Sequence, residues 1–241
     1  MFVKQSILKI DQECTSLFKK RVIVNENSFT AIFTVKIYEK FSKLYRNVYS
    51  LVLSQQNEKK LGCDAVIIFK KENCFCVGFW EAKVLREKWD YKKQQKSHFG
   101  EQIKKQNVYT GLCFWEMFYN QRLIFNNFSN DRSFCVWKND ISLINDRIYL
   151  RGDAWKDSDL LAIAKSGSGK DIEQILKDLM EHCCKNKMSY DENKKSFSIQ
   201  LDNENIDIPF YSSVEDINLI REFLKKCGLL SYLFIDLDNI I

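Results

Sequence analysis

The sequence predicts an α/β protein with a mixed central sheet flanked by helices and a smaller α+β extension at its C-terminal end. Three observations lead there. Short apolar runs rich in β-branched residues alternate with stretches of three- and four-residue apolar spacing. Two of those runs are joined by a turn short enough for an antiparallel hairpin. A polar break at Lys165-Ser166-Gly167-Ser168-Gly169-Lys170 then separates the longer N-terminal part from the rest. At 241 residues the chain amounts to about 1.6 domains of ordinary size. The expected division is residues 1–160 and 161–241.

Taken in order, the opening through about Lys20 contains a short helix with Ile7, Leu8, Leu17 and Phe18. Asn25-Glu26-Asn27-Ser28 offers capping residues ahead of Phe29, Ile32, Phe33, Ile37, Phe41 and Leu44, whose spacing marks an amphipathic helix. Residues 49–54 read as a strand. Residues 63–69 are too short for a helix and read as a buried strand, and residues 74–82 form the second arm of the hairpin. The stretch from His98 to about Tyr119 is expected to be helical, and residues 133–138 and 144–150 to be strands. The C-terminal part should hold a helix over 171–187, strands over 197–201 and 206–211, a helix over 214–227 and the apolar tail 229–237.

Composition bounds the class of protein. Hydrophobic residues make up 45% and charged residues 29%, and with eight glycines and one proline a disordered or linker-rich chain is excluded. No apolar run approaches the roughly 20 residues of a membrane span. Nine cysteines, an odd number, and an opening without an apolar leader point to a reducing cytoplasm, with most thiols acting as small core hydrophobes. Neither Cys74/Cys76 nor Cys183/Cys184 has zinc-ligand spacing.

Charge is concentrated in one segment. From Lys83 to Gln106 eight basic residues face three acidic ones, an excess equal to the +5 of the whole chain. Arg86, Lys88, Lys92, Lys93, Lys96, Lys104 and Lys105, interleaved with Trp89 and Tyr91, form either a surface suited to a phosphate backbone or a solvated loop and helix face.

The same region holds the best candidate for chemistry. Asp64 begins the first arm of the hairpin and Glu81 lies near the end of the second, so the register can bring both carboxylates to one sheet edge. Glu81 and Lys83, two apart on a strand, point to the same face. Two carboxylates there can hold a hard divalent cation, and a lysine beside them can orient or deprotonate an attacking water. Glu-x-Lys also occurs at Glu58/Lys60 and Glu192/Lys194, but only Glu81/Lys83 terminates an apolar run.

Gly62-Cys63-Asp64 followed by Phe79-Trp80-Glu81-Ala82-Lys83 resembles the active-site signature of the PD-(D/E)XK, or restriction-endonuclease-like, nuclease superfamily. The resemblance covers residues 25–108. It implies a core of a helix, a three-stranded meander, a helix and a further strand. It also implies a metal-dependent endonuclease or exonuclease acting on nucleic acid, DNA ahead of RNA, with magnesium or manganese. By resemblance Asp64, Glu81, the Ala82 carbonyl and Glu26 bind the metal and Lys83 assists the nucleophile. Gln102, ahead of Gln106, fills the glutamine position of the following helix. Cys63 stands where the family commonly has proline, and no target-recognition signature is present. By analogy the setting is bacterial or mobile-element defence, and the partners expected besides nucleic acid are a second copy of the chain or an activating protein. The alternative is a non-catalytic nucleic-acid-binding or assembly protein built on a degenerate nuclease fold.

Other motifs weigh less. Residues 166–171 lack the first glycine and the Ser/Thr of a phosphate loop. Asp236-x-Asp238 reads as a strand-end cap. His98 and His182 are the only histidines, and no nucleophile elbow accompanies them. The aromatic cluster Phe114, Trp115, Phe118 and Tyr119 reads as core.

Overall fold

The computed structural model describes residues 2–54, 60–72, 74–85, 89–93, 95–119, 131–150, 152–182, 190–191, 196–201, 204–209 and 216–241. In chain order the elements are α1 (Phe2–Lys19), α2 (Glu26–Phe41), β1 (Val48–Val52), β2 (Ala65–Lys71), β3 (Cys74–Val84), β4 (Lys92–Lys93), β5 (Lys96–Ser97), α3 (His98–Val108) and β6 (Cys113–Tyr119). They continue with β7 (Phe134–Trp137), α4 (Lys138–Leu150), α5 (Asp157–Lys165), α6 (Ile172–His182), β8 (Tyr190–Asp191), β9 (Ser196–Leu201), β10 (Glu204–Pro209), α7 (Ile217–Cys227) and β11 (Ser231–Asp236).

Local chemistry starts the elements that precede the site. Asn25 caps α2 by accepting the Ser28 amide at 2.8 Å, and Phe29, Phe33, Ile37 and Phe41 then recur on its buried face. The hairpin forms as expected: β2 and β3 pair antiparallel from Ala65↔Trp80 to Lys71↔Cys74. Across α3 the chain returns to place β6 parallel to β3, the arrangement a helical crossover permits.

The main sheet is mixed and six-stranded, in the order β1-β11-β2-β3-β6-β7, while β10, β9 and β8 make a separate antiparallel sheet. One face packs Ala65, Ile67, Trp80, Ala82, Trp115 and Met117 against α1, α2 and α6. On the other, Val66, Ile68, Phe79 and Phe114 meet α7, and Phe118, Phe134 and Val136 meet residues of α3, α4 and α5. The mixed sheet flanked by helices is therefore as the sequence predicts.

Four expectations change. First, the tail 229–237 does not belong to an extension. All six residues of β11 are buried, its middle four Tyr232, Leu233, Phe234 and Ile235 are apolar on both faces, and it sits inside the sheet, antiparallel to β1 and parallel to β2. A division at residue 160 would cut this sheet. Second, residues 113–119 form a strand rather than the end of a helix, because α3 stops before Gly111 at φ 100 and the following run is buried almost throughout. Third, residues 144–150 belong to α4, where Ile141, Asn145 and Ile148 turn inward at helical spacing. Fourth, Cys76 is disulfide-bonded, whereas Cys14, Cys63, Cys74, Cys113, Cys135 and Cys227 are free thiols. Burial pushes the Cys14 and Cys227 thiols up to about 12. Among the described residues no helix is long and apolar enough to cross a membrane.

Candidate active site

Register builds the site. Continuing the β2–β3 pairing one step beyond Ala65↔Trp80 sets Asp64 opposite Glu81, and the Asp64 amide donates to the Trp80 carbonyl at 2.8 Å. Lys83 follows two residues later on the face that carries Glu81. Asp64 Oδ2 accepts the Ala82 amide at 2.9 Å, which fixes its carboxylate against the end of β3. From the strand on the other edge of β2 the Asp64 carbonyl accepts the Leu230 amide at 2.6 Å and the Ser231 amide at 3.3 Å. The start of β11 thus holds the aspartate's backbone.

Glu81 is fully buried and Lys83 nearly so. Lys83 Nζ donates to Glu81 Oε1 at 2.6 Å, and Gln102 Nε2 donates to the same oxygen at 2.8 Å. Glu26, in the first turn of α2, reaches over the sheet end: its Oε1 accepts the Val84 amide at 3.1 Å and its Oε2 lies 3.9 Å from Lys83 Nζ. Glu26, Glu81, Lys83 and Gln102, separated by up to 76 positions in sequence, are therefore linked at the C-terminal end of β3, with Asp64 bound to the Ala82 amide beside them. Desolvating this many ionic groups is unfavourable unless each is paired, and such a cluster is weak support for stability by itself. Its geometry suits a chemical task better.

Helix α3 supplies the lid. Gln102 and Gln106, four residues apart, lie on one stripe facing the sheet. Gln106 Nε2 donates to the Gly62 carbonyl and to Glu116 Oε1, both at 2.7 Å. Gly62 has φ +71, and a Cβ there would fall 2.6 Å from the Gln102 carbonyl oxygen, so this close approach requires glycine.

Glu116 is the buried residue that sequence reasoning missed. It is the in-register partner of Glu81 on parallel β6, so Asp64, Glu81 and Glu116 form one row across three strands. A signal was present: Phe79-Trp80-Glu81 recurs as Phe114-Trp115-Glu116. The two copies align residue for residue, with Trp80 and Trp115 stacked at 5.8 Å and Phe79 beside Phe114 at 5.2 Å. Reading residues 113–119 as helix hid the repeat.

Of the basic residues, Lys92, Lys93 and Lys96 are exposed on the β4–β5 hairpin, and Lys104 and Lys105 are half-buried on α3. Arg86 and Lys88 lie outside the described residues, as do Glu58, Glu192 and Lys194. The glycine-containing break is a structural junction in which Lys170 exchanges backbone hydrogen bonds with Cys135 on the sheet edge. Asp236 and Asp238 are engaged by Lys70 Nζ at 2.9 and 3.4 Å, and Asp238 also accepts the Glu72 amide. Burial disfavours the Asp236 carboxylate, but Lys70, the Asp238 amide and Asn47 together hold it below the usual carboxylate range. That is a strand-end cap with a lysine the sequence did not assign to it.

The donors at the site are hard oxygens: the Asp64, Glu81 and Glu26 carboxylates and the Ala82 carbonyl. Gln102 Oε1 is also buried there, with no hydrogen-bond partner among the described residues. Magnesium is usually held by one or two carboxylates with water and substrate phosphate completing the shell, and this set fits that chemistry. Among the described residues no three His, Cys, Asp or Glu side chains already converge as a metal group. Comparison with known proteins yields no family model, no curated protein and no solved structure that matches the chain.

Proposed function

We propose that the protein is a metal-dependent nuclease that hydrolyses nucleic-acid phosphodiester bonds, built on a restriction-endonuclease-like core. The observation that supports this most is the Lys83–Glu81 pair held by Gln102 at one strand end, with Asp64 and Glu26 anchored to the neighbouring Ala82 and Val84 amides. The running directions add support. β1 is antiparallel to β11 and β11 is parallel to β2, so β1, β2 and β3 alternate as in a meander into which β11 has been inserted.

A bound magnesium or manganese ion would polarise the phosphate and make an associated water more acidic. Asp64 and Glu81 would hold it, with the Ala82 carbonyl and Glu26 as further oxygen donors. Lys83, kept in place by Glu81, presents a cation that orients the attacking water and offsets charge on the phosphate. Gln102 fixes Glu81 in the rotamer that Lys83 needs. The exposed lysines of the β4–β5 hairpin guide the backbone, with DNA favoured over RNA as substrate. A cytoplasmic setting belongs to the proposal, six of the described cysteines being free and Cys76 the exception.

One observation favours a non-catalytic nucleic-acid-binding protein instead: Glu81 Oε1 is already shared by Lys83 and Gln102. A cleavage assay separates the two readings. Supercoiled plasmid, linear duplex, single-stranded DNA and RNA are incubated with wild type, Asp64→Ala, Glu81→Ala and Lys83→Ala in magnesium, manganese or EDTA. Cutting that vanishes in EDTA and in all three variants supports the nuclease. Equal cutting by every protein identifies a contaminant, and salt-sensitive binding without cutting selects the binding protein.

A further inference from the structure

We infer that Tyr91, stacked on His98 at the base of the β4–β5 hairpin, is a nucleobase-stacking subsite that directs the active site toward single-stranded nucleic acid; this rests on the nuclease reading above. Tyr91 is 52% exposed, and its ring lies parallel to His98 at 4.8 Å and 18°. An aromatic ring held on one face and open to solvent on the other can take a base at little entropic cost.

The platform is rigid and tied to the catalytic helix. Buried Asp90, adjacent to Tyr91, accepts Ser97 Oγ at 2.7 Å, the Phe99 amide at 2.9 Å and the Trp155 amide at 2.8 Å. Ser97 in turn caps α3 through the Gly100 amide, and the His98 amide donates to the Tyr91 carbonyl at 2.9 Å. His98, Gln102 and Gln106 recur every fourth residue, so His98 stands one turn from the glutamine that holds Glu81.

The hairpin's charges point to a phosphate ligand. Lys93 and Lys96 are direct cross-strand partners, both exposed, and like charges so placed destabilise a hairpin. With Lys92 exposed next to them, the hairpin carries three cations whose repulsion an anion would relieve. A base on Tyr91 with its flanking phosphates on these lysines meets both features. A duplex keeps its bases stacked inside and offers the lysines only its backbone.

The test is fluorescence anisotropy of a labelled single strand and of a blunt duplex in EDTA, with wild type, Tyr91→Ala, Tyr91→Phe and a triple Lys92→Gln, Lys93→Gln, Lys96→Gln variant. Tyr91→Ala should weaken single-strand binding about 5- to 150-fold, and duplex binding by less than about 2-fold. Tyr91→Phe should retain single-strand affinity. The triple variant should lower the salt slope for single strands by about 2. Unchanged single-strand binding by Tyr91→Ala, an equal loss on duplex, an equal loss in Tyr91→Phe, or no binding by wild type would each overturn the inference. Cleavage is scored separately with magnesium. Cutting with normal binding by Tyr91→Ala leaves the nuclease standing without the platform. Tyr91-dependent binding without cutting leaves the platform standing without the nuclease.

Discussion

Replacing Asp11 with asparagine should remove a pH-dependent loss of stability that is built into the join between α1 and the sheet edge. Asp11 is fully buried and accepts both the Ser133 amide at 2.7 Å and the Ser133 hydroxyl at 2.6 Å, where the chain enters β7. Burial raises its pKa from 3.8 to about 7, against the two Ser133 hydrogen bonds that lower it, with Asp171 raising it and Arg132 lowering it further down the order. The native protein therefore keeps this proton up to about pH 7, whereas the unfolded chain releases it near 3.8. Between those values the native state binds more protons, so stability falls as pH rises. The full difference corresponds to about 4 kcal/mol, of which about 3 kcal/mol falls between pH 5 and pH 8. In Asp11→Asn the side-chain oxygen can still accept the Ser133 amide, and its NH₂ can donate to the Ser133 hydroxyl oxygen, so the join survives without a titrating group. Urea unfolding of both proteins at pH 5 and pH 8 gives the comparison. The stability of the variant relative to wild type should increase by about 3 kcal/mol from the lower to the higher pH. An advantage equal at both pH values would refute the reasoning, because Asp11 would then titrate alike in the folded and unfolded chains.

Other perturbations probe the site. Lys83→Ala leaves buried Glu81 without its cation and should cost about 3–5 kcal/mol, whereas Glu81→Met with Lys83→Met should be neutral or stabilising by about 1–4 kcal/mol. Thermal unfolding of both variants checks this, and a double variant as unstable as the single would make the pair structural. Gly62→Ala combines a left-handed backbone with a Cβ pressed onto the Gln102 carbonyl, and should lower stability by about 1–3 kcal/mol. Denaturant midpoints that match wild type would show that the α3 contact yields freely. Gln106→Leu removes the donor shared by the Gly62 carbonyl and Glu116, at a cost of about 1–3 kcal/mol by the same assay.

Much of the site was legible because its residues break local rules. Charged residues at the ends of apolar strands, Asp64, Glu81 and Lys83, stand out against their neighbours. Asn25 marks a helix start that places Glu26 in the first turn, and the short turn between two apolar runs sets a hairpin register. Gln102, with Gln106 as second choice, followed only from the family resemblance. What escaped depended on distant pairing. Phe114, Trp115, Phe118 and Tyr119 have spacings of three and four that satisfy a helix, yet a strand buried on both faces puts no periodic demand on its residues. β11 could be recognised as apolar, but its insertion between β1 and β2 follows from contacts more than 160 positions away, which no local pattern encodes.

That insertion changes how the site depends on the chain. Because the Asp64 carbonyl takes hydrogen bonds from Leu230 and Ser231, the aspartate is held by β3 through its side chain and by β11 through its backbone. Thr34 of α2 adds a hydroxyl contact to Ser231 at 2.9 Å, eight residues after Glu26 on the same helix. The helix that delivers Glu26 and the strand that steadies Asp64 are therefore joined to one another behind the carboxylates. A cavity opened beneath β11, at Leu233 or Ile235, would loosen that join as well as the core, since packed interiors relax only in part around lost volume. The geometry of the acidic cluster is thus coupled to the C-terminal strand, which lies between β1 and β2 and holds the Asp64 backbone.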